Sequence, residues 1–437
     1  MQDAAQVQSP IDHHPENINT DTESQLLPPR REAPPKKARL ISLDVLRGLT
    51  MVGMLLTINM GDRQYVIWPL AESDWDGLSI GDIIFPSFLF IMGLAISLTF
   101  KQQDRFKGRI WYKIFKRAIL LFLIGSGLNT LIGKLFTMST DSIRWRIMGV
   151  LQRISLCYLI VSSSYLCFRK IQYHAIFLAS CLAIYIGFMF GYPLDFNILY
   201  DTSFRQCKGR GILTKICNFC GYFDRAIFGS SSRWMTYPND PEGIFSTLSS
   251  LINVYAGLSF GIMIRWKEQQ LASTNMVLKL MEGNIKTTLL MRVLVLMSSA
   301  LAIIGGIFFL FDPVCKNRWS VSFAFFTSSI SAFAFIVFFY LLDINNKPFL
   351  KETLFQPFLW LGMNPLIIFV AMTLFDNLLI NFSQISRTEH LYYIIYQSLF
   401  TTIGNEYVAS IMVSILNLAL WMLVAFILYR KKIFIKL

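Results

Sequence analysis

The stretch Ser42-Leu-Asp-Val-Leu-Arg-Gly-Leu-Thr-Met-Val-Gly-Met-Leu-Leu-Thr-Ile-Asn59 is an apolar run with one acidic and one basic residue near its start. A helix needs about twenty mostly apolar residues to cross a hydrocarbon core, and this run is long enough. Nine further runs of this kind follow it. The ten predicted spans are 41–59, 80–100, 118–136, 148–168, 174–192, 244–264, 293–311, 319–342, 357–380 and 407–429. The sequence therefore predicts an all-α fold, a polytopic membrane helix bundle of about ten transmembrane helices.

The composition agrees with a membrane protein and excludes a soluble enzyme. Hydrophobic residues make up 54% of the 437 positions and charged residues 15%, whereas soluble domains carry about 25% charged residues. The formal net charge is +13, which in a soluble chain would suggest nucleic-acid binding. Here the Lys and Arg residues lie mainly in connections between apolar runs, so we interpret them as topology signals and expect a lipid bilayer, not a nucleic acid, as partner.

The charge distribution also predicts the domain organisation and the topology. Residues 1–39 contain six of the fifteen prolines and no aromatic residue, which is typical of a disordered tail. Residues 40–437 are expected to form one transmembrane domain with an outer-face loop at 193–243. Because 25 of the 40 Lys and Arg residues fall on the tail's side, we expect cytoplasmic N and C termini. The membrane would be a bacterial inner membrane or a lysosomal or other endomembrane, depending on the host.

Polar side chains in or beside the predicted spans are the candidate functional residues, because an ionisable group inside a span is costly unless it is paired or faces a cavity. Asp44, Arg47 and Asn364 lie toward the predicted cytoplasmic side. Asp44 and Arg47 are three positions apart and share a helix face, so a local ion pair that fixes the helix start is an equally good interpretation. Asn364 precedes Pro365 and should break the ninth span.

A second set of polar residues lies toward the predicted outer face. Glu72, Asp74 and Asp76 fall within five positions beside Trp68 and Trp75, and tryptophans usually anchor a segment at the membrane interface. We favour a binding or reaction role for these carboxylates, with a solvated hairpin tip as the alternative. The other candidates on this side are Asn59, Asp82, Gln152, Arg153, Asp240 and Glu242. Candidates on both sides suit a process that crosses the membrane.

Alternatives remain for two further features of the outer side. Asp240-Pro-Glu-Gly243 is also ordinary chemistry for the start of a helix. Cys207, Cys217, Cys220 and Cys315 all face an outer compartment in which disulfides can form, and their pairing stays open. The single Cys-x-x-Cys pair supplies too few ligands for zinc, so we expect no metal.

An ordered series of short motifs resembles the transmembrane domain of the heparan-alpha-glucosaminide N-acetyltransferase family and its bacterial relatives. Each motif is weak alone, but their order across residues 41–437 is specific. The motifs are Ser42-Leu-Asp-Val-Leu-Arg-Gly48, Trp75-Asp-Gly-Leu78, Asp82-Ile-Ile-Phe-Pro86, Gly149-Val-Leu-Gln-Arg-Ile154, Phe223-Asp224-Arg225, Asp240-Pro-Glu-Gly243, Gly362-Met-Asn-Pro-Leu366 and Leu428-Tyr-Arg-Lys-Lys-Ile433.

The resemblance implies a transmembrane acyltransferase. Such a protein takes an acetyl group from cytosolic acetyl-CoA, the acyl donor, and transfers it to the amino sugar of a glycan on the far side of the membrane. It also implies a homodimer. The polar residues of the motifs, including Asp224 and Arg225, become candidates for substrate binding or for structural support.

One departure from the family pattern decides the mechanism that we expect. The family carries a histidine, regarded as catalytic, three residues before the Trp of its Trp-x-Gly motif, and this chain has Glu72 there. We expect direct transfer with Glu72 as the general base and Asp74 in reserve, while Asn59 orients the acceptor or stabilises the carbonyl oxygen. The alternative is a non-enzymatic family member, a transporter or binding protein that lost its activity with the histidine.

Overall fold

The structure is a computed structural model that describes most of the region predicted to lie in the membrane. The described residues are 40–58, 60, 62, 64–136, 147–200, 203–228, 239–272, 276–345, 347–381, 394, 396–397 and 404–435. The predicted tail, residues 1–39, and the candidate Asn59 lie outside the described residues.

Twelve α-helices account for most of the described chain, as the apolar runs predict. They are α1 (Ile41–Ile58), α2 (Ile80–Thr99), α3 (Gly108–Phe136), α4 (Val150–Cys167), α5 (Ile171–Gly191), α6 (Phe219–Phe228), α7 (Thr247–Ala272), α8 (Met276–Phe309), α9 (Val321–Phe338), α10 (Gln356–Met363), α11 (Pro365–Asn381) and α12 (Glu406–Arg430). A 3-10 turn at Gln102–Phe106 and two π-helical turns, Phe339–Ile344 and Leu350–Leu354, complete the helical elements of this part of the chain.

Eight helices of the described region are long and apolar enough to cross a membrane, and a ninth candidate is bent. The eight are α1, α2, α4, α5, α7, α8, α9 and α12. Helices α10 and α11 pass the same test as a pair but meet at an angle of 79°. The break falls at Asn364 and Pro365, as the sequence predicts, because proline cannot supply the backbone N–H that a continuous helix needs at that position. Helix α3, which contains the third predicted run, is not among the eight.

Glycines allow a close helix contact between α2 and α7. A Cβ added to Gly93 would overlap the carbonyl oxygen of Val254, and one added to Gly257 would overlap that of Phe90. One helical turn further along, a Cβ on Gly261 would overlap the hydroxyl of Ser97. Such small residues let two backbones approach within the membrane, where dispersion contacts drive helix association.

The same device joins α1 to α10. A Cβ on Gly48 would overlap the carbonyl oxygen of Phe358, and one on Gly362 would overlap that of Asp44. Both glycines belong to the short motifs singled out in the sequence. Their place in the fold explains why those motifs carry glycine.

A buried amide connects α7 to α9. The Asn253 amide nitrogen donates to the Ala324 carbonyl at 3.0 Å, to the Thr327 hydroxyl at 3.0 Å and to the Ser328 hydroxyl at 2.9 Å. Its oxygen accepts from the Trp319 indole nitrogen at 3.0 Å. Because every polar atom of this amide has a partner, its burial is compensated, and it fixes the register between the two helices.

The loop predicted at 193–243 contains the strands of the described region. β1 (Leu194–Tyr200) pairs antiparallel with β2 (Ser203–Gly209) in a two-stranded sheet, so the fold departs locally from all-α. Cys207 in β2 forms a disulfide with Cys217. Cys220 and Cys315 are buried free thiols. The pairing that the sequence left open is thereby assigned.

We predict that Gly257→Leu destabilises the bundle by at least about 2 kcal/mol, because the added side chain must push the backbones of α2 and α7 apart. Thermal unfolding of the detergent-purified protein measures the effect. The matched control is Gly187→Leu in α5, where an added Cβ meets no heavy atom within 4 Å. An equal melting temperature for Gly257→Leu and the wild type would show that the close approach of the helices is not needed.

Candidate functional site

Polar residues gather near the start of α1 and near the start of α2. These two starts lie at opposite ends of the bundle, because α1 and α2 run antiparallel. Leu43 and Leu46 at the start of α1 share a core with Phe90, Ile91 and Leu94 in the second half of α2. The start of α2 therefore lies at the end of α1. We call the polar residues around Glu72, Asp82 and Lys316 the α2-start cluster, and those around Asp44, Arg47 and Asn364 the α1-start cluster.

Asp82 is the buried anchor of the α2-start cluster. Its side chain has no exposed surface. One carboxylate oxygen accepts hydrogen bonds from the Ser73 backbone N–H at 3.1 Å, from the Ser79 backbone N–H at 3.0 Å and from the Ser79 hydroxyl at 3.0 Å. Ser79 and Asp82 form a capping box at the start of α2. Asp82 thus holds the chain segment just after Glu72 against the first turn of the helix.

Lys316, in the connection between α8 and α9, bridges Glu72 to this anchor. Its Nζ lies 2.6 Å from Glu72 Oε1 and 3.5 Å from Asp82 Oδ1. The Lys316 side chain is 11% exposed, whereas that of Glu72 is 59% exposed. The Glu72 carboxylate is therefore accessible, whereas the lysine side chain that pairs with it is largely buried. No local pattern in the sequence predicts this partner, because a lone lysine in a short connection is interpreted as a topology signal.

The neighbouring residues Asp74 and Trp75 attach the same loop to other connections. Asp74 pairs with Lys215 at 2.6 Å, and its backbone oxygen accepts from the Asn317 amide at 2.8 Å. The Trp75 indole donates to the Leu213 carbonyl at 2.9 Å. Trp75 therefore fastens the loop to the rest of the protein.

A buried arginine fixes the connection that carries Lys316. Arg318 has no exposed surface, forms an ion pair with Asp312 and lies 3.7 Å from Asp76. Asp312 also accepts from the Val321 backbone N–H at 2.8 Å. Burial raises the pKa of Asp312, and the Arg318 charge opposes that effect. The pair holds Lys316 in position beneath Glu72.

Gln152 and Arg153 lie in the first turn of α4, where Arg153 is fully buried. Arg153 donates to the Gly243 carbonyl at 2.9 Å and to the Ser246 hydroxyl. Its guanidinium lies over the Trp319 ring at 4.7 Å. The Gln152 amide donates weakly to Ser126 at 3.4 Å. Trp319 also packs edge-on against Phe85 of α2, so this arginine adjoins the α2-start cluster.

Asp224 and Arg225 lie in α6, and Asp224 packs against Gly243, the residue whose carbonyl binds Arg153. Asp224 accepts from the Ile244 backbone N–H at 3.0 Å. Burial and the charge of Asp240 raise the pKa of Asp224 to about 7. Arg225 lies over the Phe196 ring at 4.9 Å, and burial lowers the pKa of Arg225 to about 10.

The Asp240 motif lies before α7, not in its first turn. Asp240 accepts from the Glu242 backbone N–H at 3.0 Å, and α7 begins only at Thr247. Asp240 and Glu242 therefore lie in a turn before the helix, where their charges act on buried Arg153 from a distance.

The α1-start cluster is tied together by structural contacts. Arg47 donates to Asp44 at 3.0 Å and to the Gly362 carbonyl at 3.4 Å. The Asn364 amide donates to the Ile433 carbonyl at 2.9 Å and accepts from the Ile435 N–H at 3.2 Å. These contacts fasten the broken ninth span and the C-terminal segment to the start of α1.

Another carboxylate that the sequence did not single out completes this end of the bundle. Asp343 accepts hydrogen bonds from the backbone N–H groups of Ile41 and Ser42, each at 3.0 Å, and so caps α1.

Among the described residues, no group of three or more His, Cys, Asp or Glu side chains could hold a metal ion.

Comparison with known proteins gives matches to one family. A family model described as Heparan-alpha-glucosaminide N-acetyltransferase, catalytic, matches residues 39–210. The human protein named heparan-alpha-glucosaminide N-acetyltransferase is 30% identical over 91% of this chain, and the mouse protein of the same name is 26% identical over 91%. The chain spans 60% of the length of each of these relatives.

The matched range 39–210 contains α1 to α5 and the loop that carries Glu72. The pairwise matches continue over most of the remaining helices. Together with the apolar helices of the fold, these matches confirm the predicted resemblance: the chain is a multi-pass membrane protein related to the heparan-alpha-glucosaminide N-acetyltransferases.

Proposed function

We propose that this protein is a transmembrane acetyltransferase that moves an acetyl group from cytosolic acetyl-CoA to the amine of an amino sugar on the extracytoplasmic side. The observation that carries the proposal is the exposed Glu72 carboxylate, paired with Lys316 at 2.6 Å in a loop that the family model matches. The names of the relatives do not favour the non-enzymatic alternative.

Glu72 takes the role of general base in this scheme. An amino sugar in its ammonium form must lose a proton before its nitrogen can attack a thioester carbonyl. Glu72 accepts that proton after exchanging its contact with Lys316 for the incoming ammonium. The nitrogen then forms a bond to the acetyl carbon, the carbon–sulfur bond breaks, and the coenzyme leaves as a thiol after taking up a proton.

Lys316 supplies positive charge where negative charge develops. As the amine attacks, the thioester carbonyl oxygen becomes an oxyanion, and a preorganised cation beside it lowers the barrier. Lys316 keeps its second contact, with Asp82 at 3.5 Å, when Glu72 turns to the acceptor. Because Asp82 is held by three hydrogen bonds, the ammonium stays in place. Asn59 is proposed to orient the acceptor at the same end of α1.

The α1-start cluster suits the donor side. Asn364 binds Ile433 and Ile435, so the basic residues Arg430, Lys431 and Lys432 lie at this end of the bundle. Acetyl-CoA carries several phosphate charges, and basic side chains attract such groups. We propose that this end faces the cytoplasm and binds the phosphates of the donor, while the long thioester arm of the coenzyme extends between the helices and brings the acetyl group to Glu72.

Glu72→Gln is predicted to lower the rate of acetyl transfer to glucosamine by about 100-fold, because the amide cannot accept the proton. Binding of acetyl-CoA should be unchanged, since the donor binds at the other end of the bundle. Transfer is measured with labelled acetyl-CoA and glucosamine on detergent-purified protein. The control is Asp195→Asn, which removes an exposed carboxylate from β1. Turnover by Glu72→Gln at the wild-type rate would contradict the assignment of the base.

Lys316→Met is predicted to destabilise the protein by about 1–3 kcal/mol, because the buried Asp82 charge loses its cation. The double variant Lys316→Met/Asp82→Asn should recover part of that loss, since it removes both charges. Melting temperatures of the two variants and of Asp82→Asn alone complete the cycle. Strictly additive effects of the two substitutions would show that Lys316 and Asp82 do not interact.

A further inference from the structure

A buried carboxylate in α11 has no role in the proposed proton transfer. Asp376 is 8% exposed, and one of its carboxylate oxygens accepts from the Asn417 amide at the long distance of 3.4 Å. The other oxygen has no hydrogen-bond partner in the structure as described. No Lys or Arg side chain forms an ion pair with Asp376 within the described residues.

Two unpartnered polar atoms on α12 accompany this carboxylate. The side-chain oxygen of Asn417 and the indole nitrogen of Trp421 are buried without hydrogen bonds among the described residues. Asn417 and Trp421 are four residues apart and therefore lie on the same face of the helix. Trp421 packs edge-on against Phe375, the residue before Asp376, with ring centroids 6.0 Å apart. One donor and two acceptors on α11 and α12 thus lack hydrogen-bond partners in the described part of the chain.

The surroundings make this arrangement costly for the fold alone. Trp421 belongs to a core cluster with Met372, Ile368 and Leu361, which are all fully buried. An ionised carboxylate in such a setting is strongly destabilising unless a cation or strong donors compensate it. Buried polar atoms in native structures nearly always have partners, so these three atoms are available to the polar groups of a ligand.

The position of these residues connects them to the end of α1. The Ser414 hydroxyl, one turn before Asn417, donates to the Met60 sulfur at 3.1 Å. Ser410 donates to the Asp62 carbonyl at 3.1 Å and accepts from the Asp62 backbone N–H at 3.2 Å. This face of α12 therefore packs against the residues that immediately follow Asn59, at the same end of α1 as the loop that carries Glu72.

We propose that Asp376, Asn417 and Trp421 form a binding subsite for the protonated amino sugar that enters as acceptor. The carboxylate binds the ammonium, while the Asn417 oxygen and the Trp421 N–H bind sugar hydroxyls, which both donate and accept. This assignment rests on the proposed function, and recognition at Asp376 precedes deprotonation by Glu72. Acetylation removes the positive charge, so the product loses its attraction to Asp376 and leaves.

Binding of glucosamine to the purified full chain without acetyl-CoA tests the subsite. Isothermal titration calorimetry should show that the wild type binds glucosamine at least about tenfold more tightly than N-acetylglucosamine or glucose. Asp376→Asn should bind glucosamine at least about tenfold more weakly than the wild type does. Trp421→Phe, which keeps the ring and removes the N–H, should also bind glucosamine more weakly. Glu352→Gln is the matched control, because Glu352 is an exposed carboxylate at a distant π-helical turn.

Stability measurements separate a binding role from a structural one. Because Asp376→Asn removes an uncompensated charge, its melting temperature should equal or exceed that of the wild type. A lower melting temperature for Asp376→Asn, with unchanged glucosamine binding by Trp421→Phe, would show a purely structural carboxylate and would overturn the proposal.

Parallel assays of acetyl transfer keep the two proposals apart. Wild-type transfer together with undiminished glucosamine binding by Asp376→Asn would overturn the subsite and leave the proposed function intact. Binding of glucosamine that depends on Asp376, without acetyl transfer by the wild type, would support the subsite and refute the transferase.

Discussion

The close approach of α2 and α7 at Gly93 and Gly257 is the contact on which the rest of the site depends. Asp82 in the first turn of α2 anchors the Glu72 loop, and α7 follows the turn whose Gly243 carbonyl binds Arg153. The backbones can approach only because neither glycine has a side chain. Trp319 packs against both Phe85 of α2 and the Arg153 guanidinium. Displacing one helix would shift the polar region around Asp82 and the polar region around Arg153 relative to this ring. A membrane bundle offers little hydrophobic force between helices, so shape has to provide this precision.

The pairing of Glu72 with Lys316 gives a physical meaning to the departure from the family pattern. A neutral histidine at that position could accept a hydrogen bond from the ammonium but would lack the attraction between opposite charges, and a cationic histidine would be repelled. A carboxylate pairs with the ammonium and is held in place until a cationic acceptor replaces it. The Arg318 and Asp312 pair supports Lys316 from below. The substitution therefore suits the direct transfer that we propose, in which the side chain would exchange one cation for another and form no covalent intermediate.

The sequence predicted those parts of the structure that depend on local spacing. The membrane helices, the break at Asn364 and Pro365, and the contact between Asp44 and Arg47 all follow from residues that are close along the chain. The sequence did not predict contacts between segments that are distant along the chain. Lys316 and Glu72 are separated along the chain by α2 to α8 and come together only in the folded protein. Asp376 contacts Asn417 only because α11 and α12 pack together. The disulfide of Cys207 likewise depends on the β-hairpin that the apolar pattern did not reveal.

In the proposed function, acetyl groups pass from one side of the membrane to an amine on the other. Sealed vesicles containing the purified protein and trapped glucosamine test it directly when labelled acetyl-CoA is supplied only outside. Transfer across the membrane should give labelled N-acetylglucosamine inside the vesicles, with none formed in vesicles without protein. Labelled product that forms only when glucosamine and acetyl-CoA share one compartment would contradict the transmembrane mechanism.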